Sequence, residues 1–303
     1  MGDQVQKVFL EYDQKALDDA YDQAVYAPNR ELVHLRRSRN SDATRRRLGE
    51  PARKAYGTTA NEMLDIFPAR RSGGQAAPIN VFIHGGAWRA GNARDFSTPA
   101  EMLGDAGAVY VAIDFDNVDQ TGGDLMLMAD QVKRAVAWAH KNAASFGGDP
   151  ARLYVSGCSS GAHLGGVVAI TDWEKEFGLP PDAVKGYTLC SGMYDLRGPR
   201  LSKRSAYVKF TDEAEQALSA QRHLERIRSP IVLLYGSEET PEFKRQTREF
   251  AAALHSAGKT VELIYCEGYN HFEMQETFTN PYGAMGRAVL KQMGLSTGGG
   301  SAS

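Results

Sequence analysis

The chain has 303 residues, 42% apolar and 24% charged, which suits one large domain with a sizeable core and argues against disorder over most of its length. A formal net charge of −2 gives no basic excess to draw it to nucleic acid or an anionic membrane, and no apolar run nears the roughly 18 to 20 residues that span a bilayer. Cys158, Cys190 and Cys266 are odd in number, far apart and without metal-type pairing, which speaks against a disulfide framework or a zinc site.

Met1 to Lys15 is polar and lacks the apolar core of a signal peptide, so a cytoplasmic, reducing location is expected. Residues 1–60 read as largely helical and polar, with Tyr12, Leu17, Tyr21 and Tyr26 spaced as an amphipathic face. Pockets in open α/β sheets lie beyond the carboxyl ends of the strands and need walls, so this piece is expected to form an N-terminal helical cap there; a helix packed on the flank is the alternative. Arg36, Arg37, Arg39 and Arg45-Arg46-Arg47 have no interleaved aromatics and read as a solvated helical face or loop.

Beyond residue 60, short β-rich runs alternate with helical patterns. Strands are predicted over Leu64 to Phe67, Ile79 to His84, Val109 to Asp114, Leu153 to Ser156, Val184 to Cys190, Ile231 to Tyr235 and Val261 to Cys266. Helices are predicted over Asp124 to Phe146, Ala162 to Ile170, Glu242 to His255 and Tyr282 to Met293. That alternation means an α/β fold whose mostly parallel sheet is flanked by helices on both faces. No internal repeat or interdomain linker is visible, so residues 1–303 read as a single domain with a flexible tail over 296–303.

The strand Ile79 to His84 ends in His84-Gly85-Gly86-Ala87-Trp88. Acyl transfer builds negative charge on a carbonyl oxygen, and glycines let main-chain N–H groups come close enough to hold it. Gly85 and Gly86, with the N–H of Ser160, are therefore the oxyanion-hole candidates, while His84 is expected to sit under the loop as a structural residue. Gly157-Cys158-Ser159-Ser160-Gly161 follows an apolar run and precedes a helix, the context in which a G-x-S-x-G elbow exposes a nucleophilic serine, here Ser159. Alone, the pentapeptide fits equally well a glycine-rich turn with an idle serine. Chain order then requires an acid and a histidine downstream. His271 lies in a loop right after the last strand and is the expected base, since His34, His84 and His140 precede the serine and His163, His223 and His255 fall in helical patterns. Glu239 follows the strand Ile231 to Tyr235 and is the expected acid, ahead of Glu238, with Asp195 as a rival and Glu242 read as a first-turn helix residue.

His84 to Trp88, Gly157 to His163 and Glu239-Thr240-Pro241-Glu242-Phe243 together resemble the α/β-hydrolases of the kynurenine formamidase (arylformamidase) type, close to the hormone-sensitive-lipase-like carboxylesterases. The likeness spans most of the chain. It implies a triad on Ser159, Glu239 and His271, an oxyanion hole on Gly85, Gly86 and Ser160, and neither metal nor organic cofactor. Three positions depart from that family, which usually has Asp at Glu239, often His at Cys158 and, in the formamidases, an aromatic at Ala87. Ala87 and Cys158 would alter the pocket walls, so with Trp88 and Tyr187 they are the expected substrate-binding residues; Phe115, Trp173 and Tyr194 could line the pocket or pack in the core.

The function expected is a serine carboxylesterase acting on short-acyl esters; the resemblance extends to bacterial esterases acting on acylated 2-hydroxy acids and so implies esters of aromatic 2-hydroxy acids as a candidate class. An arylformamidase cleaving N-formylkynurenine is the alternative enzyme, and a non-catalytic ligand-binding protein on the same fold is the alternative outside enzymology. The partners expected are a small-molecule ester and, for assembly, a second copy of the chain in a homodimer, without nucleic acid or membrane.

Overall fold

The computed structural model describes residues 6–71 and 73–296; the flexible tail expected beyond Ser296 lies outside the described residues. A single sheet contains β1 (Ala52–Ala55), β2 (Met63–Phe67), β3 (Ala77–Ile83), β4 (Val109–Ile113), β5 (Gly148–Cys158), β6 (Tyr187–Cys190), β7 (Ile231–Gly236) and β8 (Val261–Cys266). Its spatial order is β1-β2-β4-β3-β5-β6-β7-β8, with β1 and β4 both antiparallel to β2 and every other pairing parallel.

Apolar side chains alternate between the faces of the sheet with period two, as the pleat requires. Ile79, Val81 and Ile83 of β3 and Leu153 and Val155 of β5 join one core layer with helices α5 (Leu125–Lys141) and α6 (Ser160–Ala169). Phe82, Cys158, Cys190, Leu234 and Cys266 join the opposite layer, under α4 (Pro99–Asp105) and the C-terminal helix Ala284–Gln292. Because β3 lies between β4 and β5, the strand order reverses at its carboxyl end, where open α/β sheets place their crevice. The ends of β5 and β6 and of β7 and β8 are aligned there, pairing Cys158 with Cys190 and Gly236 with Cys266.

The N-terminal piece is largely helical, as expected, and holds three helices: α1 (Gln14–Ala20), α2 (Gln23–Tyr26) and α3 (Arg30–Leu48). Asp13 and Asp22 cap the first two with their carboxylates, and each cap marks a break in the chain. Leu17 and Tyr21 are buried, whereas Tyr26 is exposed. The cap reaches the carboxyl end of the sheet through Tyr21 Oη, which donates to Glu242 Oε2 (2.7 Å), and Asn29 Nδ2, which donates to Glu273 Oε1 (2.7 Å).

Two readings of this region need correction. Residues 52–55 form β1, which sequence reasoning missed because Ala-Arg-Lys-Ala has no apolar alternation; all four residues are exposed and the strand is held by main-chain pairing to β2. The arginine cluster of α3 is not simply a solvated face. Arg45 is buried, bonded to Asp65 and, through Nε, to Ser97 Oγ (2.8 Å), while Arg37 turns toward the sheet's carboxyl end.

Candidate active site

The turn after β5 puts Ser159 at φ 58° and ψ −125°, a conformation that costs a non-glycine residue about 1–3 kcal/mol. Its surroundings leave no other geometry: Ser159 N–H donates to Cys190 O (2.8 Å), and a Cβ on Gly161 would lie 2.1 Å from the Ile83 carbonyl oxygen. The first turn of α6 thus packs directly on the end of β3, and the serine hydroxyl projects beyond the sheet.

His271 Nε2 lies 2.8 Å from Ser159 Oγ and His271 Nδ1 lies 2.7 Å from Glu239 Oε2. A carboxylate only accepts, so Nδ1–H donates to Glu239 and Nε2 is left to accept from the serine hydroxyl. His271 opens a short helix that Asn270 caps through a reciprocal box with Glu273, and the edges of Phe243 and Phe272 confine its ring. Glu239 is fully buried; its Oε1 accepts from Gly236 N (2.8 Å) and Ser191 Oγ (2.6 Å), and Gln23 of the cap donates to Oε2 (3.4 Å). Glu238 is exposed and, among the described residues, accepts from Ser237 Oγ alone, while Asp195 is engaged with Arg222.

His84 and His163 occupy structural positions. His84 is buried, stacked on Phe115 (4.4 Å between centroids), with Nδ1 2.9 Å from Gly85 O, and burial lowers its pKa. His163 accepts from the Trp88 indole N–H at Nδ1 (3.2 Å) and bonds Leu218 O through Nε2 (3.1 Å); burial pushes its pKa down to about 4. His223 lies between two short 3-10 turns rather than in a longer helix.

In the glycine loop after β3, Gly86, Ala87 and Trp88 all have positive φ (134°, 55° and 63°), and a Cβ on Gly86 would lie 1.9 Å from Ala90 O. The loop is tied to the elbow by Trp88 N–H, which donates to Ser160 Oγ (3.2 Å). Among the described residues no acceptor takes the N–H of Gly86, Ala87 or Ser160. Ala87 therefore offers a main-chain donor as well as a wall, which the sequence reading did not assign to it.

A cavity of about 870 Å³ opens over Ser159 and His271 and is also lined by Gly85, Gly86 and Ala87. Three of the four expected substrate-binding residues stand elsewhere. Cys158 falls on the pleat position facing the second core layer, its Sγ 3.5 Å from Met285 Sδ. Tyr187 begins β6, about 10 Å short of the catalytic edge at roughly 3.3 Å per residue. Trp88 is buried beneath the loop against His163, and with Phe115 it borders a separate cleft of about 280 Å³. Trp173 and Tyr194 are core residues, Tyr194 stacked on Phe250. The walls come instead from the expected cap, through Tyr21, Gln23, His34 and Arg37, and from residues sequence reasoning did not single out: Arg204 and Tyr207 of the 203–207 turn and Phe272 and Gln275 beside the histidine.

Among the described residues no group of three His, Cys, Asp or Glu is placed to hold a metal ion, and no helix is long and apolar enough to cross a membrane. A family model described as BD-FAE matches residues 64–190. The chain is 30% identical over 246 residues to kynurenine formamidase from Danio rerio, covering 80% of this chain and 81% of that protein. It is 27% identical to esterase LipC from Mycobacterium tuberculosis, covering 75% of this chain and 60% of LipC. A crystal structure of a candidate thioesterase from Silicibacter superposes with a TM-score of 0.76 at 21% identity, covering 88% of this chain and 96% of the other. Sheet order, elbow and sequence likeness agree that the chain belongs to the kynurenine formamidase and esterase group of the α/β-hydrolases, and that it is a hydrolase.

Proposed function

We propose that the chain is a serine carboxylesterase that hydrolyses short-acyl esters through an acyl-enzyme. The observation that carries this reading is the continuous hydrogen-bonded chain from Ser159 Oγ through His271 to buried Glu239, opening into a cavity beside unpaired N–H groups. His271 takes the hydroxyl proton as Ser159 attacks the ester carbonyl. The oxyanion is then held by main-chain N–H groups of the glycine loop, Gly85, Gly86 and Ala87, together with that of Ser160, and the leaving alkoxide takes the proton from His271. Water, activated by the same imidazole, releases the acid. Glu239 fixes the tautomer and balances the imidazolium charge. The three free thiols support a reducing, cytoplasmic setting.

A formamidase is the second reading, favoured by the 30% identity to a kynurenine formamidase. Ala87, which lines the cavity with a methyl group where the resembled formamidases carry an aromatic, supports esters; Cys158 gives no such argument, since its side chain faces the core. The kcat/KM for p-nitrophenyl acetate is expected to exceed that for N-formylkynurenine; the reverse order would assign the formamide. Ser159→Ala is expected to remove turnover of either substrate, and full activity in that variant would overturn the serine mechanism.

A further inference from the structure

Two amide side chains of the N-terminal cap, one on each side of α2, each bridge a pair of residues beside the catalytic histidine or its acid. Gln23, the first residue of α2, is buried. Its Nε2 donates to Glu239 Oε2 (3.4 Å) and its Oε1 accepts from Thr240 N–H (3.3 Å), so one amide spans the acid and the residue after it. Asn29, just beyond α2, does the same for the base. Its Nδ2 donates to Glu273 Oε1 (2.7 Å) and its Oδ1 accepts from Asn270 Nδ2 (2.8 Å). Asn270 and Glu273 form the reciprocal box that starts the helix His271–Glu276, and so they set the direction in which the imidazole leaves the chain.

Neither amide can be turned round. A carboxylate only accepts and a main-chain N–H only donates, and Asn270 already uses its Oδ1 on the N–H groups of Phe272 (3.0 Å) and Glu273 (3.2 Å). Asn29 also stands at the N-cap of α3, where asparagine ordinarily bonds the free N–H groups of its own first turn, yet its side chain makes no such bond. It is turned to the helix of the base rather than its own. The segment carrying both amides is fixed at its start by Tyr21 Oη on Glu242 (2.7 Å) and by the ion pair of Asp22 with Lys203 (2.5 Å). We propose that Gln23 and Asn29 are positioning residues for the triad, so that acid and base take their catalytic geometry only when the N-terminal cap is docked. From the two ends of a four-residue helix they fix the loop of Glu239 against the helix of His271, on which the 2.7 Å bond between those side chains depends. This rests on the ester-hydrolase reading of Ser159, and the test keeps the two apart.

Asn29 carries the test, because it lies outside the lining of the catalytic cavity and its loss cannot act through a missing wall. Asn29→Asp keeps the shape but sets a carboxylate against Glu273. On p-nitrophenyl acetate kcat is expected to fall about 10-fold while KM stays within about twofold, with the same loss on p-nitrophenyl butyrate. Asn29→Asp/Glu273→Gln exchanges donor and acceptor, and kcat is expected to return to within about threefold of wild type. A contact that only stabilises the fold would lower the urea midpoint and leave kcat of the folded protein unchanged. Unchanged kcat in Asn29→Asp, a change in KM alone, or no recovery in the double variant would overturn the positioning role. Should Asn29→Asp fail to fold, Asn29→Ala, which adds no charge, decides by the same split of kcat from KM. Turnover that survives Ser159→Ala would remove the ester-hydrolase reading itself, whereas turnover that needs Ser159 but is indifferent to Asn29 removes only the positioning role.

Discussion

Glu239 differs from its neighbour Glu238 in what surrounds it rather than in its chemistry. Only Glu239 is buried, reaches His271, and is oriented by Ser191 Oγ and Gly236 N–H. Glu239→Gln keeps the size but loses the charge that stabilises the imidazolium and fixes its tautomer, so kcat on p-nitrophenyl acetate is expected to fall by about 10³- to 10⁴-fold. Glu238→Gln should stay within about twofold, because an exposed carboxylate bonded only to a serine contributes little. A similar loss in both variants would mean that the acid is misassigned. The three residues of this hydrogen-bonded chain were legible in the sequence because each follows its own strand, and a parallel sheet brings all strand ends to one edge. The pocket walls were not. Which way Cys158 points is set by the parity of β5, and Arg204 and Tyr207 reach the cavity from a loop whose path no local pattern encodes.

At the scale of elements, the joint between α6 and β3 sets the geometry of the elbow. Gly161→Ala would put a methyl group 2.1 Å from Ile83 O, a backbone atom that cannot yield without moving the strand. The variant is expected to lose about 3 kcal/mol or more of stability, read as a lower urea midpoint, and a neutral outcome would mean that the helix can shift freely. A second joint lies between α3 and β2, where Arg45 Nη2 meets Asp65, whose other oxygen accepts from Arg53 Nη1 (2.6 Å). Arg45→Met would leave Asp65 buried and short of one partner, at a cost of about 3–5 kcal/mol. The double variant Arg45→Met/Asp65→Leu should recover much of that loss, because apolar replacements of similar volume often substitute for a buried pair. Apolar periodicity revealed seven of the eight strands. It could not reveal β1, which is polar and borrows its order from pairing with β2 and from the ion pairs of Arg53 with Asp65 and Asp114.

Across the whole molecule, the imidazole of His163 links three separate segments: α6, the glycine loop through Trp88, and the turn containing Leu218. Both ring nitrogens are engaged as a neutral imidazole requires, and burial pushes the pKa down to about 4. In the unfolded chain the same group titrates near 6.5. Between those values the unfolded state binds a proton that the folded state refuses, so stability rises with pH in this window and is lost as pH falls through it. Above about pH 6.5 neither state is protonated and the contribution is whole; by pH 4 the loss from this one group is on the order of 3 kcal/mol. His84, also buried and lowered by burial, adds a loss of the same sign. Carboxylates titrate in the same region, so the test is a difference. His163→Gln, which cannot titrate, should be less stable than wild type at pH 7 because it loses fitted hydrogen bonds and packing, yet its urea midpoint should fall less between pH 7 and pH 4.5. Parallel pH dependence in the two proteins would show that His163 is not held neutral in the fold. The outcome reaches the catalytic cavity as well, because the same imidazole holds the Trp88 end of the loop that lines it beside Ser159.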